Sequence, residues 1–251
     1  MNTVTSRDGT RIAFDRAGEG PAIVLVDGAM CYRGAGPCDA LAPELTGDFT
    51  VYTYDRRGRG ESGDADTFAV EREIDDLAAL IEHAGGSAYV FGHSSGAVLA
   101  LEASLRVAGI ARLALFEPPP LTDDAALVGR LDELVRAGRR GEAVEAFQLG
   151  IGLPPEMVSG MRGAPFRAAL EAIAPTLVYD TTLTSSARLH RYASVAVPTL
   201  LLDSENSTEA LRTATEQVAR TVPGARHRSL PGGFHDVPPK VLAPVLTDFL
   251  S

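Results

Sequence analysis

Cysteine, lysine and long apolar runs are all scarce in this chain. Cys31 and Cys38 are its only cysteines and share one segment, so no disulfide framework can be built; a reducing compartment keeps both as thiols, a regulatory bridge between them being the alternative. Lys240 is the only lysine, and the preference for arginine reflects coding bias, not chemistry. No uninterrupted apolar run approaches the length of a bilayer-spanning helix, and MNTVTSRDGTRIAF lacks the basic-then-apolar order of a secretory signal. The expectation is a soluble, cytoplasmic protein with no membrane partner. Positive charge is also short, 23 Lys and Arg against 33 Asp and Glu, with a formal charge of −10 and a pI near 5.0. A nucleic-acid surface needs clustered positive charge to release counterions, and Arg56, Arg57 and Arg59 are too few to supply it. No nucleic-acid partner is expected.

What is present is apolar residue, 45% of 251, enough to bury one substantial core, and residues 1–251 are expected to form one domain. Two short alternating strands within residues 3–16 flank the Asp8-Gly9 turn signal, and Ala22 to Val26 reads as a fully buried strand. A short helix at Leu41 to Leu45 and a strand at Thr50 to Tyr54 follow. Val70 to His83 then carries Ile74, Leu77 and Ile81 on one helical face. The alternation continues through strand Ala88 to Phe91, helix Ser95 to Val107 and strand Arg112 to Phe116. It resumes with strand Thr199 to Leu202, helix Thr208 to Thr221, strand His227 to Leu230 and helix Lys240 to Leu250. Such an order predicts an α/β fold, a mostly parallel sheet with helices on both faces. Between 118 and 197 the pattern is helical throughout, around 125–137, 142–149 and 165–174, with Gly and Pro breaks. An excursion of that length from a compact sheet is usually functional, and a lid is expected there.

One motif carries chemistry. Phe91-Gly92-His93-Ser94-Ser95-Gly96 places G-x-S-x-G between an apolar strand and an Ala/Leu-rich helix, the context that gives the pattern meaning. The two glycines admit a tight strand-to-helix turn that holds Ser94 outward. A serine hydroxyl needs a base and oxyanion donors to act as a nucleophile. Of five histidines, His235 is the candidate base, because it lies in a Pro-Gly-Gly-Phe loop between the last strand and the final helix. His83, His93, His190 and His227 read as structural or solvent-facing. The Ser95 N–H, at the start of its helix, is one expected oxyanion donor, and the Ala29 N–H, in the turn after Ala22 to Val26, is the other.

These residues together resemble the α/β-hydrolase superfamily over nearly the whole chain. Asp55-Arg56-Arg57-Gly58-Arg59-Gly60-Glu61-Ser62 is similar to that family's D-x-R-G-x-G-x-S turn, and Phe234-His235-Asp236 through Phe249-Leu250 to its histidine loop and last helix. The resemblance implies an α/β-hydrolase fold with a helical lid and a Ser94–His235 pair completed by an acid. The family's usual acid loop, G-x-x-D, is replaced by Asp203-Ser204-Glu205-Asn206-Ser207, with Ser207 in the acid's place. Some members, such as haloalkane dehalogenases, carry the acid after the preceding strand, where this chain has Glu117, and Glu117 is therefore expected to orient His235. A structural Glu117 at the entrance to the insertion, an acid at Asp203 or Glu205, and a site without an acid are the alternatives. Asp27 stands where the family commonly has His before Gly28.

Gly58-Arg59-Gly60-Glu61-Ser62-Gly63 matches G-x-G-x-x-G, but the hydrolase-like turn accounts for it and no helix follows at once. Asp75-Asp76 and Asp123-Asp124 read as acidic helix starts, no Cys/His spacing suits zinc, and neither metal nor cofactor is expected. Met30, Met157 and Met161 suit either a lipophilic pocket or core filling. The implied activity is hydrolysis of an ester, lactone or thioester of a small lipophilic molecule through an acyl-enzyme on Ser94. A non-hydrolytic lyase or cyclase and a silent ligand-binding protein are the rivals on the same fold. Serine in place of aspartate at the elbow argues against dehalogenase or alkyl-enzyme epoxide chemistry.

Overall fold

The apolar strands assemble edge to edge into one sheet, as seen in a computed structural model that describes residues 2–251. β1 (Asn2–Thr5) and β2 (Arg11–Ala17) form the opening hairpin. Its turn is closed by Gly9 at φ 90° and by the Thr10 N–H donating to the Asp8 carboxylate at 3.0 Å. There follow β3 (Ala22–Val26), α1 (Pro37–Leu45), β4 (Thr50–Tyr54), α2 (Val70–His83), β5 (Ala88–His93), α3 (Ser95–Ser104) and β6 (Ile110–Phe116). After the insertion come β7 (Thr199–Ser204), α9 (Glu209–Thr221), β8 (Arg226–Leu230) and α10 (Pro239–Leu250). The sheet order is β1-β2-β4-β3-β5-β6-β7-β8, antiparallel across the first two junctions and parallel across the rest.

The central strands are buried on both faces, which explains their continuous apolar runs. On one face α2, α3 and α9 cover Val24, Val26, Val90, Leu113 and Leu115. On the other α1 and α10 cover Ile23, Leu25, Phe91, Ala114 and Phe116. Each fully buried Leu, Ile or Val stabilises the fold by roughly 1.5–3 kcal/mol, so both layers are needed to hold the strand ends that carry the site.

The insertion between β6 and β7 is α4 (Ala125–Arg136), α5 (Arg140–Gly150), α6 (Pro155–Gly160), α7 (Arg167–Ala172) and α8 (Pro175–Ser186), with two 3-10 turns. It has its own apolar cluster, in which Leu131, Leu134, Val144, Phe147 and Leu177 are buried. α8 is not anticipated by periodicity. It buries Thr176, Asp180, Thr181 and Ser185 beside Leu177 and Leu183, so polar and apolar residues share its inner face and no stripe forms.

Two further expectations change. Asp75 and Asp76 lie in the middle of α2, whose first turn instead carries Glu71 and Glu73; Asp76 is buried because it pairs with Arg57 at 2.6 Å. Asp124 does cap α4, accepting from the Leu127 N–H at 3.0 Å. α3 ends at Ser104, short of Val107. Among the described residues no helix is long and apolar enough to cross a membrane.

Candidate active site

The turn from β5 to α3 is steric in origin. A Cβ on Gly92 would lie 2.6 Å from the Ala97 Cα and the Gly96 carbonyl, and one on Gly96 would lie 2.2 Å from the Val26 carbonyl. Only glycine lets the strand and helix approach so closely. Ser94 between them is held at φ 57°, ψ −124°, a conformation costing on the order of 1–3 kcal/mol for a residue with a side chain. Its N–H donates to the Phe116 carbonyl at 2.9 Å, fastening Ser94 to the end of β6.

Glu117 follows Phe116 directly and is fully buried. Its carboxylate is held by the Ser204 N–H at 2.8 Å and the Ser207 hydroxyl at 2.9 Å, and it meets His235 Nδ1 at 2.5 Å. The expected partner is thus in contact with the expected base. Asp203 is not: it bonds His227 Nε2 at 2.6 Å, while Glu205 is exposed. In the structure the 203–207 loop contacts the other two elements, and neither of its carboxylates bonds His235. Ser204 Oγ donates to the Gly233 carbonyl at 2.6 Å and Asn206 Nδ2 to the Gly232 carbonyl at 2.8 Å, so the same loop grips both Glu117 and the histidine loop. Ser207, in the place of the usual acid, hydrogen-bonds to Glu117, the candidate acid.

Ser94 and His235 form no direct hydrogen bond in the structure. Catalytic hydrogen bonds are often long before substrate binds and tighten in the complex. The His93 ring, next to Ser94 in the chain, lies 4.8 Å from the His235 ring and stacks on Phe116 at 5.2 Å. His93 is thus neither surface nor remote: it backs the imidazole. Burial, then the nearby His235, lowers its pKa to about 3, so it stays neutral and adds no charge behind the candidate base.

The turn after β3 sits against Ser94, where a Cβ on Gly28 would come within 2.9 Å of the Ser94 Cβ. Among the described residues neither the Ala29 N–H nor the Ser95 N–H has a protein acceptor, which leaves both free for a developing oxyanion. Ala29 and Met30 pack against the apolar cluster of the insertion. Met157 is exposed and Met161 half-buried, whereas Met30 packs on that cluster. Asp27 is buried, accepts from the Cys38 N–H at 3.2 Å, and has its carboxyl pushed up to about 6, chiefly by burial. Cys31 and Cys38 are both thiols.

Beneath the turn lies an ionic network that the sequence alone did not disclose. Arg56 forms two bonds to Glu73, at 2.8 and 2.7 Å, and a third to Asp180 of α8 at 2.8 Å. Arg59 donates to the other Asp180 oxygen at 2.6 Å, and Ser95 Oγ donates to Asp180 at 2.7 Å. Although burial opposes charge there, Arg56 and Arg59 hold the Asp180 carboxyl below its usual range. Arg57 pairs with Asp76 and Asp8. The three arginines are therefore paired in the interior, and the glycine-rich match at 58–63 is a turn, α2 beginning only at Val70.

The model of the alpha/beta hydrolase family matches residues 23–244, and the chain belongs to that family. An alpha/beta hydrolase from Sphaerobacter thermophilus superposes with a TM-score of 0.91 at 46% identity, each chain covered in full. An enol-lactonase from Burkholderia xenovorans (TM-score 0.77, 20% identity, 99% of each chain) shares the fold. So does a thermophilic esterase from Thermogutta terrifontis (0.73, 23%, 99% of this chain and 96% of that one). An uncharacterised hydrolase of Bacillus subtilis, YraK, is 39% identical over 105 residues, 39% of this chain and 37% of its own length. The match thus spans little more than a third of that relative. The chain has the α/β-hydrolase fold.

Proposed function

We propose that the protein is a serine hydrolase that cleaves an ester, lactone or thioester of a small lipophilic molecule through an acyl-enzyme on Ser94. One observation carries this reading. The four non-glycine residues with positive φ among the described residues are Met30, Ser94, Glu117 and His235: the candidate nucleophile, acid and base, and the residue that closes the oxyanion turn. Backbone strain persists only where surrounding structure enforces it, and it gathers at reacting centres. Glu117 on Nδ1 selects the tautomer in which Nε2 is free to accept a proton and stabilises the imidazolium that results.

In the reaction His235 takes the Ser94 proton as Oγ attacks the carbonyl, and the carbonyl oxygen becomes an oxyanion held by the Ala29 and Ser95 N–H groups. The leaving alcohol or thiol receives the proton from His235. Water, deprotonated by the same ring, then releases the acid and restores Ser94. The helical insertion acts as a lid. Its apolar cluster, with Met30 and Ala29 against it, suits an uncharged, lipophilic substrate. No nucleic acid, membrane or cofactor enters this scheme, and the setting is cytoplasmic.

Replacement of Ser94 by Ala should remove turnover of p-nitrophenyl acetate to the background rate, and hydrolysis in oxygen-labelled water should place one label in the acid product. Undiminished turnover in Ser94→Ala, or a product without solvent oxygen, contradicts the assignment.

A further inference from the structure

The peptide unit joining Gly28 to Ala29 contains both a clamped oxygen and an unpaired hydrogen. Arg59 Nη1 donates to the Gly28 carbonyl at 2.7 Å, and in a planar trans peptide the N–H of the next residue points the opposite way. Gripping the Gly28 oxygen therefore aims the Ala29 N–H, and polarising the carbonyl strengthens that N–H as a donor. Arg56 Nη1 holds the preceding carbonyl, that of Asp27, at 3.2 Å. Both guanidiniums are braced by the single carboxylate of Asp180, which also takes the hydroxyl of Ser95, the residue whose N–H is the second candidate donor. Arg56, Arg59 and Asp180 are all buried, so a side chain withdrawn from this set leaves uncompensated groups and no water to replace it.

We propose that Arg59 and Asp180 are positioning residues of the oxyanion hole: Arg59 orients the Ala29 N–H through the Gly28 carbonyl, and Asp180 ties that clamp and the Ser95 turn to α8 of the insertion. The inference rests on the reading of Ser94 as nucleophile and adds a physical link from the insertion to the donors. Placement of the lid helix then sets how well the transition state is held, separately from how tightly substrate is bound.

Arg57 supplies the control. It is as buried as Arg59 and sits two residues away, but its partners are Asp76, Asp8 and the Arg72 carbonyl, none of them in the oxyanion turn. Arg59→Met should lower kcat for p-nitrophenyl acetate about 30-fold, less than the roughly 10²- to 10³-fold for outright loss of an oxyanion donor because the N–H remains and is only misaimed, with KM changed less than about threefold. Affinity for a trifluoromethyl ketone, whose adduct carries the oxyanion, should fall by a similar factor. Arg57→Met should lose thermal stability yet keep kcat within about twofold, since it touches neither donor. If Arg59→Met does not fold, Arg59→Lys serves: one ammonium cannot span Gly28 and Asp180 as a forked guanidinium does, and the same kcat loss is expected. A folded Arg59 variant with near-normal kcat and ketone affinity overturns the inference, as does an equal kcat loss in Arg57→Met. Ser94→Ala is measured alongside: turnover surviving there defeats the hydrolase reading, whereas turnover lost there but kept in Arg59→Met defeats only this proposal.

Discussion

Two carboxylate–imidazole pairs stand at the ends of adjacent strands. Glu117 meets His235 at 2.5 Å beyond β6, and Asp203 meets His227 at 2.6 Å between β7 and β8. By distance and by burial of the acid the pairs are nearly equivalent. They differ in everything else. Glu117 has two further donors, Ser204 and Ser207, and both Glu117 and His235 are bent into positive φ. Asp203 has one oxygen without a partner, and His227 projects from an exposed edge strand in ordinary extended backbone. Close approach of acid and imidazole is therefore not what distinguishes the two pairs. What sets Glu117 and His235 apart is a fully satisfied carboxylate and an enforced backbone at both residues.

Substitution can separate the pairs. Glu117→Gln should reduce kcat by roughly 10²- to 10⁴-fold, because the amide can present its N–H to Nδ1 and stabilise the wrong tautomer. Asp203→Asn should leave kcat for p-nitrophenyl acetate within about twofold; steady-state kinetics on both variants checks this, and a reversal of the two effects would move the acid to β7. A smaller effect is expected on stability: His227→Gln should cost about 0.5–1.5 kcal/mol in urea unfolding, the net worth of one hydrogen bond, with turnover unaltered.

A third buried carboxyl sharpens the contrast, since Asp27 accepts from Cys38 and has no ion-pair partner among the described residues. Its pKa rises from 3.8 to about 6 because burial disfavours the charged form. Between those values the folded state holds a proton that the unfolded chain has released, so the native state loses stability as pH rises through about 6. Asp27→Asn removes that dependence. Relative to the unmodified protein it should gain stability between pH 4 and pH 7, on the order of 2 kcal/mol, readable as a widening difference in melting temperature. A constant difference across that range would show that Asp27 is already charged at the lower pH.

Much of this site is legible in the sequence, for reasons that are local. Gly92 and Gly96 flank Ser94 at fixed spacing, so the elbow shows as a pattern. Glu117 stands out because a carboxylate ends an apolar strand while the later loop offers Ser207 in place of an acid. What escaped notice depends on distant pairings. Arg56 and Arg59 reach Asp180 across 124 and 121 positions, and nothing in α8 marks Asp180, since its helix buries polar and apolar residues together. His93 fills a motif position that admits any residue, and only the packing of rings shows that it backs His235. The alternation of strand and helix was readable throughout, while α8 was hidden by the Pro175 that begins it, a residue that reads equally as a break.

The most direct measurement is intact-protein mass spectrometry after exposure to a fluorophosphonate, with the modified peptide sequenced. The account predicts one phosphonyl group, on Ser94, formed quickly in the unmodified protein and much more slowly in Glu117→Gln, because the hydroxyl is activated only through His235 held by that acid. An unlabelled Ser94, or labelling equally fast with and without the Glu117 carboxylate, would contradict it.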